Sequence, residues 1–177
     1  MIYHRDDAVL IRTMEPADAR PLTDGEHAQG WRTDIAKFEG RLRDQAEGRA
    51  VALVAEVDGR PVGYINVYPA SRYGAFGGRG LPEIDDFGVL EPYRRRGIGG
   101  RLMDAAERIA GQYADTVYLG VGLHSGYGSA QRMYVKRGYL PDGSGVWYRD
   151  SVCPPYSDCS NDDDLVLYLS KTIEKSK

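Results

Sequence analysis

Cysteine is scarce in this 177-residue sequence. It has two, Cys153 and Cys159, too few for the disulfide framework of a small secreted domain. They also lack the two-residue spacing and histidine partners of a zinc site, so they read as free thiols and no metal is expected. Long apolar runs are missing: none approaches the roughly 20 residues needed to span a bilayer. The amino terminus, MIYHRDDAVL, has no basic start followed by an apolar stretch, so no secretory signal is visible. A basic excess is missing as well. Lys+Arg number 23 against Asp+Glu 26, a formal charge of -3, which supplies no global field to draw the chain onto nucleic acid or an anionic membrane. These absences predict a soluble, cytoplasmic protein that binds neither. The length is about one domain's worth, and a chain of this size buries roughly 70% of its unfolded surface. A single domain over residues 1–177 is expected.

Glycine and tyrosine are abundant instead. Gly reaches 22 residues, well above the usual ~7%, and Tyr outnumbers Phe 13 to 3. Both suit a cleft lined by backbone and phenols. Periodicity outlines the elements. Val9–Arg12 reads as a short strand, Pro16 and Asp18 open a helix-compatible stretch, and Ile35, Phe38 and Leu42 mark a helix over 34–47 stopped by Gly48. Residues 50–57 and 61–68 form a hairpin about Asp58-Gly59. The Gly- and Arg-rich segment 69–82 is a long loop, read as a mobile wall of a site or, as the plainer alternative, a floppy connection. Glu83–Val89 is a strand with Glu83, Asp85, Phe87 and Val89 on one face and Ile84, Asp86 and Gly88 on the other. An amphipathic helix follows from Gly97 to about Gln112, then a strand at 116–122, a helix at 129–137 capped by Gly138, and closing strands at 146–148 and 165–170. The pattern is one of mixed α and β elements.

Residues 89–109 carry the chemistry. A strand ends, Arg94, Arg95 and Arg96 follow, then Gly97-Ile98-Gly99-Gly100 opens the helix. Glycines let the backbone approach a ligand. The first helical turn presents unpaired N–H groups and the positive end of the helix dipole, which together favour an anion such as a pyrophosphate. Spacing rules out a Walker A loop, which needs Gly-Lys-Ser/Thr, and a Rossmann fingerprint, which would put Gly where Leu102 stands. A glycine-opened helix with solvated arginines remains the plain alternative.

Arg94-x-x-Gly97-x-Gly99 after a strand resembles the acetyl-CoA motif of the GNAT N-acetyltransferases, Gln/Arg-x-x-Gly-x-Gly/Ala. Downstream, residues 130–139, AQRMYVKRGY, are similar to that family's late helix, Ala-x-x-Leu-Tyr-x-Lys-x-Gly-Phe. The resemblance covers residues 50–140. It implies a twisted, mostly antiparallel α/β fold: a six- or seven-stranded sheet, helices on both faces, and a splayed central pair, strands 83–89 and 116–122, that admits the pantetheine arm. Backbone groups of Phe87, Gly88 and Val89 would hold that arm and the acetyl carbonyl. The loop Arg94, Arg95, Arg96, Gly97, Ile98, Gly99, Gly100 would bind the pyrophosphate. Tyr134 falls on the tyrosine that protonates the leaving thiolate in many members; its other reading is a packed core aromatic. One departure stands out: Tyr127 occupies a place where many members carry a cofactor-contacting Asn.

Acetyl transfer needs a neutral amine, a held carbonyl and a donor for the developing negative charge. A bulge suggested by Gly88 would free a backbone N–H for the last role. Glu83 is the first choice of base and matches the catalytic glutamate of the histone-acetylating branch. Asp85 is second. Alternatively Glu83, Asp85 and Asp86 only attract a cationic amine. Trp31, Tyr73 and Glu83 are the candidate acceptor contacts. The function implied is an acetyl-CoA-dependent N-acetyltransferase acting on a small-molecule or peptide amine in a ternary complex, with a homodimer as a family-level expectation. Competing readings are a non-catalytic CoA-binding regulatory module and an enzyme using another acyl-CoA.

Overall fold

Asp58 and Gly59 both take left-handed conformations, φ 50° and 74°, and close the expected hairpin with a turn whose hand suits the strand twist. In the computed structural model, which describes residues 1–174, this hairpin joins β3 (Val51–Val57) to β4 (Arg60–Tyr68). The chain forms two compact units. One comprises Met1–Tyr68 and Ile84–Ile109, the other Pro69–Glu83 and the described residues from Ala110 onward.

In the first unit, β1 (Ile2–Arg5), β2 (Leu10–Thr13), β3, β4 and β5 (Glu83–Val89) are neighbours in chain order, and β1 to β4 pair antiparallel. Helix α1 (Ala19–Ala28) follows a turn at Pro16–Asp18. Asp34 caps α2 (Ile35–Ala46) by accepting the Ala36 N–H at 2.8 Å. The α2 stripe of Ile35, Phe38 and Leu42 then packs with Met14, Leu22, Val54 and Tyr64. Helix α3 (Ile98–Ala110) buries Ile98, Leu102, Ala105, Ala106 and Ile109, the face its 3.6-residue period marks out. Two glycines permit its close approach to the strands. A Cβ at Gly63 would stand 2.9 Å from the Gly88 carbonyl oxygen and 3.3 Å from Leu102, and one at Gly99 would stand 3.1 Å from Phe87.

In the second unit, β6 (Thr116–Gly122) pairs antiparallel with β9 (Leu165–Thr172), β9 with β7 (Leu140–Tyr148), and β7 with β8 (Ser151–Val152). Glu83, the first residue of β5, pairs in parallel with Tyr118. Helix α4 (Gly128–Lys136) ends at Gly138, φ 89°, the left-handed cap its sequence predicts. The fold is thus the expected mixed α/β class with a mostly antiparallel sheet. Its described strands number nine rather than six or seven, because the short β1 and β8 carry no periodic signal.

Two expectations need correction. Strict alternation along β5 fails at Asp86, whose φ of 50° is left-handed. In consequence one guanidinium, that of Arg41 on α2, reaches both Asp85 at 2.9 Å and Asp86 at 3.3 Å. The left-handed residue of β5 is therefore Asp86, and Gly88 is not left-handed. Segment 69–82 is a loop as expected, and it is tied down. The Gly74 N–H donates to Asp150 at 2.7 Å, the Tyr118 hydroxyl to the Tyr73 carbonyl at 2.9 Å, and the Phe76 ring lies 5.0 Å from that of Tyr118.

Candidate active site

The turn Glu91–Tyr93 delivers the chain from β5 to the arginine loop. Arg94 serves this geometry directly: its Nε donates to the Val89 carbonyl at 3.0 Å, its Nη1 lies 3.3 Å from Glu91, and its guanidinium covers the Trp31 ring at 5.3 Å. Arg95 (φ 61°) and Gly97 (φ 78°) are both left-handed, so the chain curls before α3 begins. The Arg101 N–H makes the first intrahelical bond, to the Gly97 carbonyl at 3.2 Å. The amides of Ile98, Gly99 and Gly100 therefore precede any intrahelical acceptor and carry the positive end of the α3 dipole. Arg95 and Arg96 are exposed beside them, with Arg96 over the Tyr93 ring at 5.4 Å. Geometry and charge both suit a multiply charged phosphate.

The two candidate bases stand in different surroundings. Glu83 is buried at 9% exposure, with Oε2 3.4 Å from the Tyr118 hydroxyl. Burial, with the charge of Glu83, pushes the Tyr118 phenol up, which keeps it a neutral donor. Asp85 is 42% exposed at its side chain and paired with Arg41. Desolvation by the surrounding protein still raises its carboxyl above the usual range, against the pull of Arg41. A carboxyl raised in the folded state binds protons more tightly there than in the unfolded chain, so its contribution to stability falls as pH rises above about 4. Asp85→Asn should therefore gain stability relative to wild type as pH rises above about 4, read by thermal melts. The opposite slope would show that Arg41 outweighs burial.

Tyr134 lies on α4 at 6% exposure, its ring 5.8 Å from that of Tyr139. Trp31, one expected acceptor wall, sits beneath Arg94 at 36% exposure, and Tyr73 is largely exposed on the 69–82 loop. Cys153 and Cys159 are free thiols. Among the described residues no cluster of three His, Cys, Asp or Glu side chains could hold a metal, and no helix is long and apolar enough to cross a membrane.

Residues 13–139 match the acetyltransferase (GNAT) family. The chain belongs to that family. An N-acetyltransferase named YhfO, described as uncharacterized, from Bacillus subtilis (strain 168), is 30% identical over 118 residues, covering 66% of this chain and 76% of that protein. Among solved structures, Ard1 from Thermoplasma volcanium superposes with a TM-score of 0.67 at 24% identity, covering 94% of this chain and 98% of its own. The ribosomal L7/L12 alpha-N-protein acetyltransferase RimL, in complex with coenzyme A, gives a TM-score of 0.69 at 10% identity, covering 99% and 100%. The protein is accordingly an acyltransferase of the GNAT fold.

Within this GNAT protein, Tyr127, the departure from the family pattern, has its own role. Its ring overlies Gly122, where a Cβ would stand 2.3 Å away, and its hydroxyl donates to Asp163 at 2.8 Å. His124 shares that carboxylate at 3.0 Å and accepts the Gly126 N–H on Nδ1 at 3.1 Å. Hydrogen bonds from His124 and then Tyr127 hold the Asp163 carboxyl below the usual range. His124 anchors the loop ahead of α4, where it caps the short turn Ser125–Tyr127.

Sequence reasoning missed a polar cluster in the first unit of this GNAT protein. Glu26 of α1 is 1% exposed; its Oε1 accepts from Tyr64 of β4 and from Lys37 of α2, the latter at 2.9 Å. Lys37 also donates to the Tyr64 hydroxyl at 2.7 Å and pairs with Asp86 at 3.1 Å. Asn66, fully buried on β4, donates to the carbonyls of Asp85 and Asp86 at 3.4 and 3.2 Å. The one available signal was Asn66 itself, a polar residue inside the apolar run GYINVY.

Proposed function

We propose that the protein transfers an acetyl group from acetyl-CoA to a primary amine of a small molecule or peptide, directly and in a ternary complex. The observation that carries this reading is the loop 94–100. Its left-handed Arg95 and Gly97, its free helix-start amides and its exposed arginines make a cradle for the pyrophosphate of CoA. The GNAT fold of RimL binds coenzyme A, in keeping with that assignment.

In this reading the amine nitrogen attacks the thioester carbonyl, the C–N bond forms as the C–S bond breaks, and the thiolate takes the Tyr134 proton. A phenol is a somewhat weaker acid than a thiol, and the two groups lie close enough in acidity for that transfer. The proton lost by the amine goes to a carboxylate, Glu83 first and Asp85 second. Both carboxylates also favour a cationic acceptor.

The test is release of CoA from saturating acetyl-CoA against a panel of a polyamine, an aminoglycoside, amino-acid derivatives and short peptides. Mass spectrometry should find one acetyl group on an acceptor for each CoA released. Binding of acetyl-CoA without turnover of any amine would favour a non-catalytic CoA-binding module instead.

A further inference from the structure

Asp86 is a non-glycine residue held left-handed in the middle of a strand, φ 50°. L-residues with a Cβ adopt that conformation within a strand only where their surroundings over-determine it. Here they do so from two sides. On the backbone side, the Asn66 amide donates to the carbonyls of both Asp85 and Asp86. Its own Oδ1 is buried with no hydrogen-bond partner among the described residues, so the two donated bonds are what the side chain contributes. A flipped amide would set oxygen against two carbonyls. On the carboxylate side, Lys37 takes one oxygen of Asp86 at 3.1 Å and Arg41 the other at 3.3 Å. Lys37 is itself fixed by Glu26 and Tyr64. The Tyr64 hydroxyl also floors Gly88, where a Cβ would stand 2.6 Å from it. The backbone from Asp86 to Gly88 is thus set by side chains of α1, α2 and β4.

We propose that Asn66 and Lys37 are positioning residues: with Arg41 they lock Asp86 left-handed and so aim the backbone groups of Phe87–Val89 that receive the acyl-pantetheine end of acetyl-CoA. This rests on the acetyl-CoA reading above. It also gives Asp86 a conformational duty, since both its carboxylate oxygens are already engaged. The backbone at 86, rather than the charge there, is what the site needs.

Glycine adopts φ 50° unaided, so a glycine at 86 should make the clamp dispensable. The experiment measures binding of acetyl-CoA and of 3′-phospho-ADP, the nucleotide end of the same molecule, by calorimetry. Wild type, Asp86→Gly, Asp86→Val, Asn66→Ala, Lys37→Met, and the last two combined with Asp86→Gly are compared. Asp86→Val and Asn66→Ala are expected to weaken acetyl-CoA at least tenfold while 3′-phospho-ADP stays within about twofold. Asp86→Gly should stay within about threefold of wild type. Asn66→Ala and Lys37→Met should cost little once Asp86→Gly is present, a coupling that a merely structural role would not produce. Equal weakening by Asp86→Gly and Asp86→Val, or undiminished losses in the Asp86→Gly background, would overturn the proposal. Should Asp86→Val not fold, the Asn66→Ala pair decides alone. Wild type that binds neither ligand would instead overturn the acetyl-CoA reading, and the clamp's role with it.

Discussion

Tyr134→Phe is expected to lower kcat by roughly 10²- to 10⁴-fold, the range set by loss of a positioned general acid, with the Kd for acetyl-CoA almost unchanged. The substitution keeps the ring. Tyr134 is 6% exposed and its ring is tilted 60° against that of Tyr139, so Phe keeps the ring in place on α4 and removes the phenolic O–H. A fall in kcat without a fall in affinity isolates a proton delivered as the C–S bond breaks. Rapid-quench measurements should place the loss in the chemical step. An unchanged kcat, with chemistry shown to limit the rate, would return Tyr134 to a packing role and leave the thiolate to water.

Gly100→Glu separates folding from ligand binding in the opposite way. Gly100 lies in the first turn of α3, and a Cβ there meets nothing within 4 Å. Glutamate is a better helix former than glycine, and its charge suits a helix start by about 0.3–1 kcal/mol. The variant should therefore melt no lower than wild type. Its carboxylate, however, stands where a pyrophosphate is to bind. At a separation of about 5 Å and an effective dielectric near ~20, one like-charge pair costs about 3 kcal/mol, on the order of 100-fold in affinity. Added salt should shrink the effect, since both charges are exposed. Gly100→Ala, which adds a methyl group to open space, should bind nearly as wild type does. Undiminished CoA affinity in Gly100→Glu would place the phosphates away from α3.

Local chemistry made much of this fold legible in the sequence. Asp58-Gly59 specified its turn through two left-handed positions, and Asp34 marked the start of α2 as a capping residue. The α3 stripe and the glycines ahead of it marked the start of α3 because period and conformational freedom are both sequence-local. What stayed hidden depends on distant partners. The left-handed residue of β5 is Asp86, whose conformation is sustained by Asn66, Lys37 and Arg41 from other elements. An aspartate within an alternating run advertises nothing of this, and the conventional signal of an irregularity falls on Gly88. Gly88 is instead required by close approach, with the Tyr64 hydroxyl where its Cβ would be. Strand β1 carries no sequence signal for a similar reason: its four residues, IYHR, gain strand geometry by pairing with β2. The ion-pair chain from Glu26 through Lys37 to Asp86 joins three elements, and no spacing along the chain announces it.

The central claim, that loop 94–100 and its strand receive a CoA thioester, is tested most directly by a thermal-shift titration with acetyl-CoA, CoA and ATP at one salt concentration. A ligand present at 100 times its Kd stabilises a fold by about 2.7 kcal/mol, a rise of roughly 5–10 °C in Tm for a protein of this size. The account predicts that rise with acetyl-CoA and with CoA, and none with ATP at the same concentration. A flat Tm with saturating CoA would contradict it and leave Arg94–Gly100 as a glycine-opened helix start with solvated arginines.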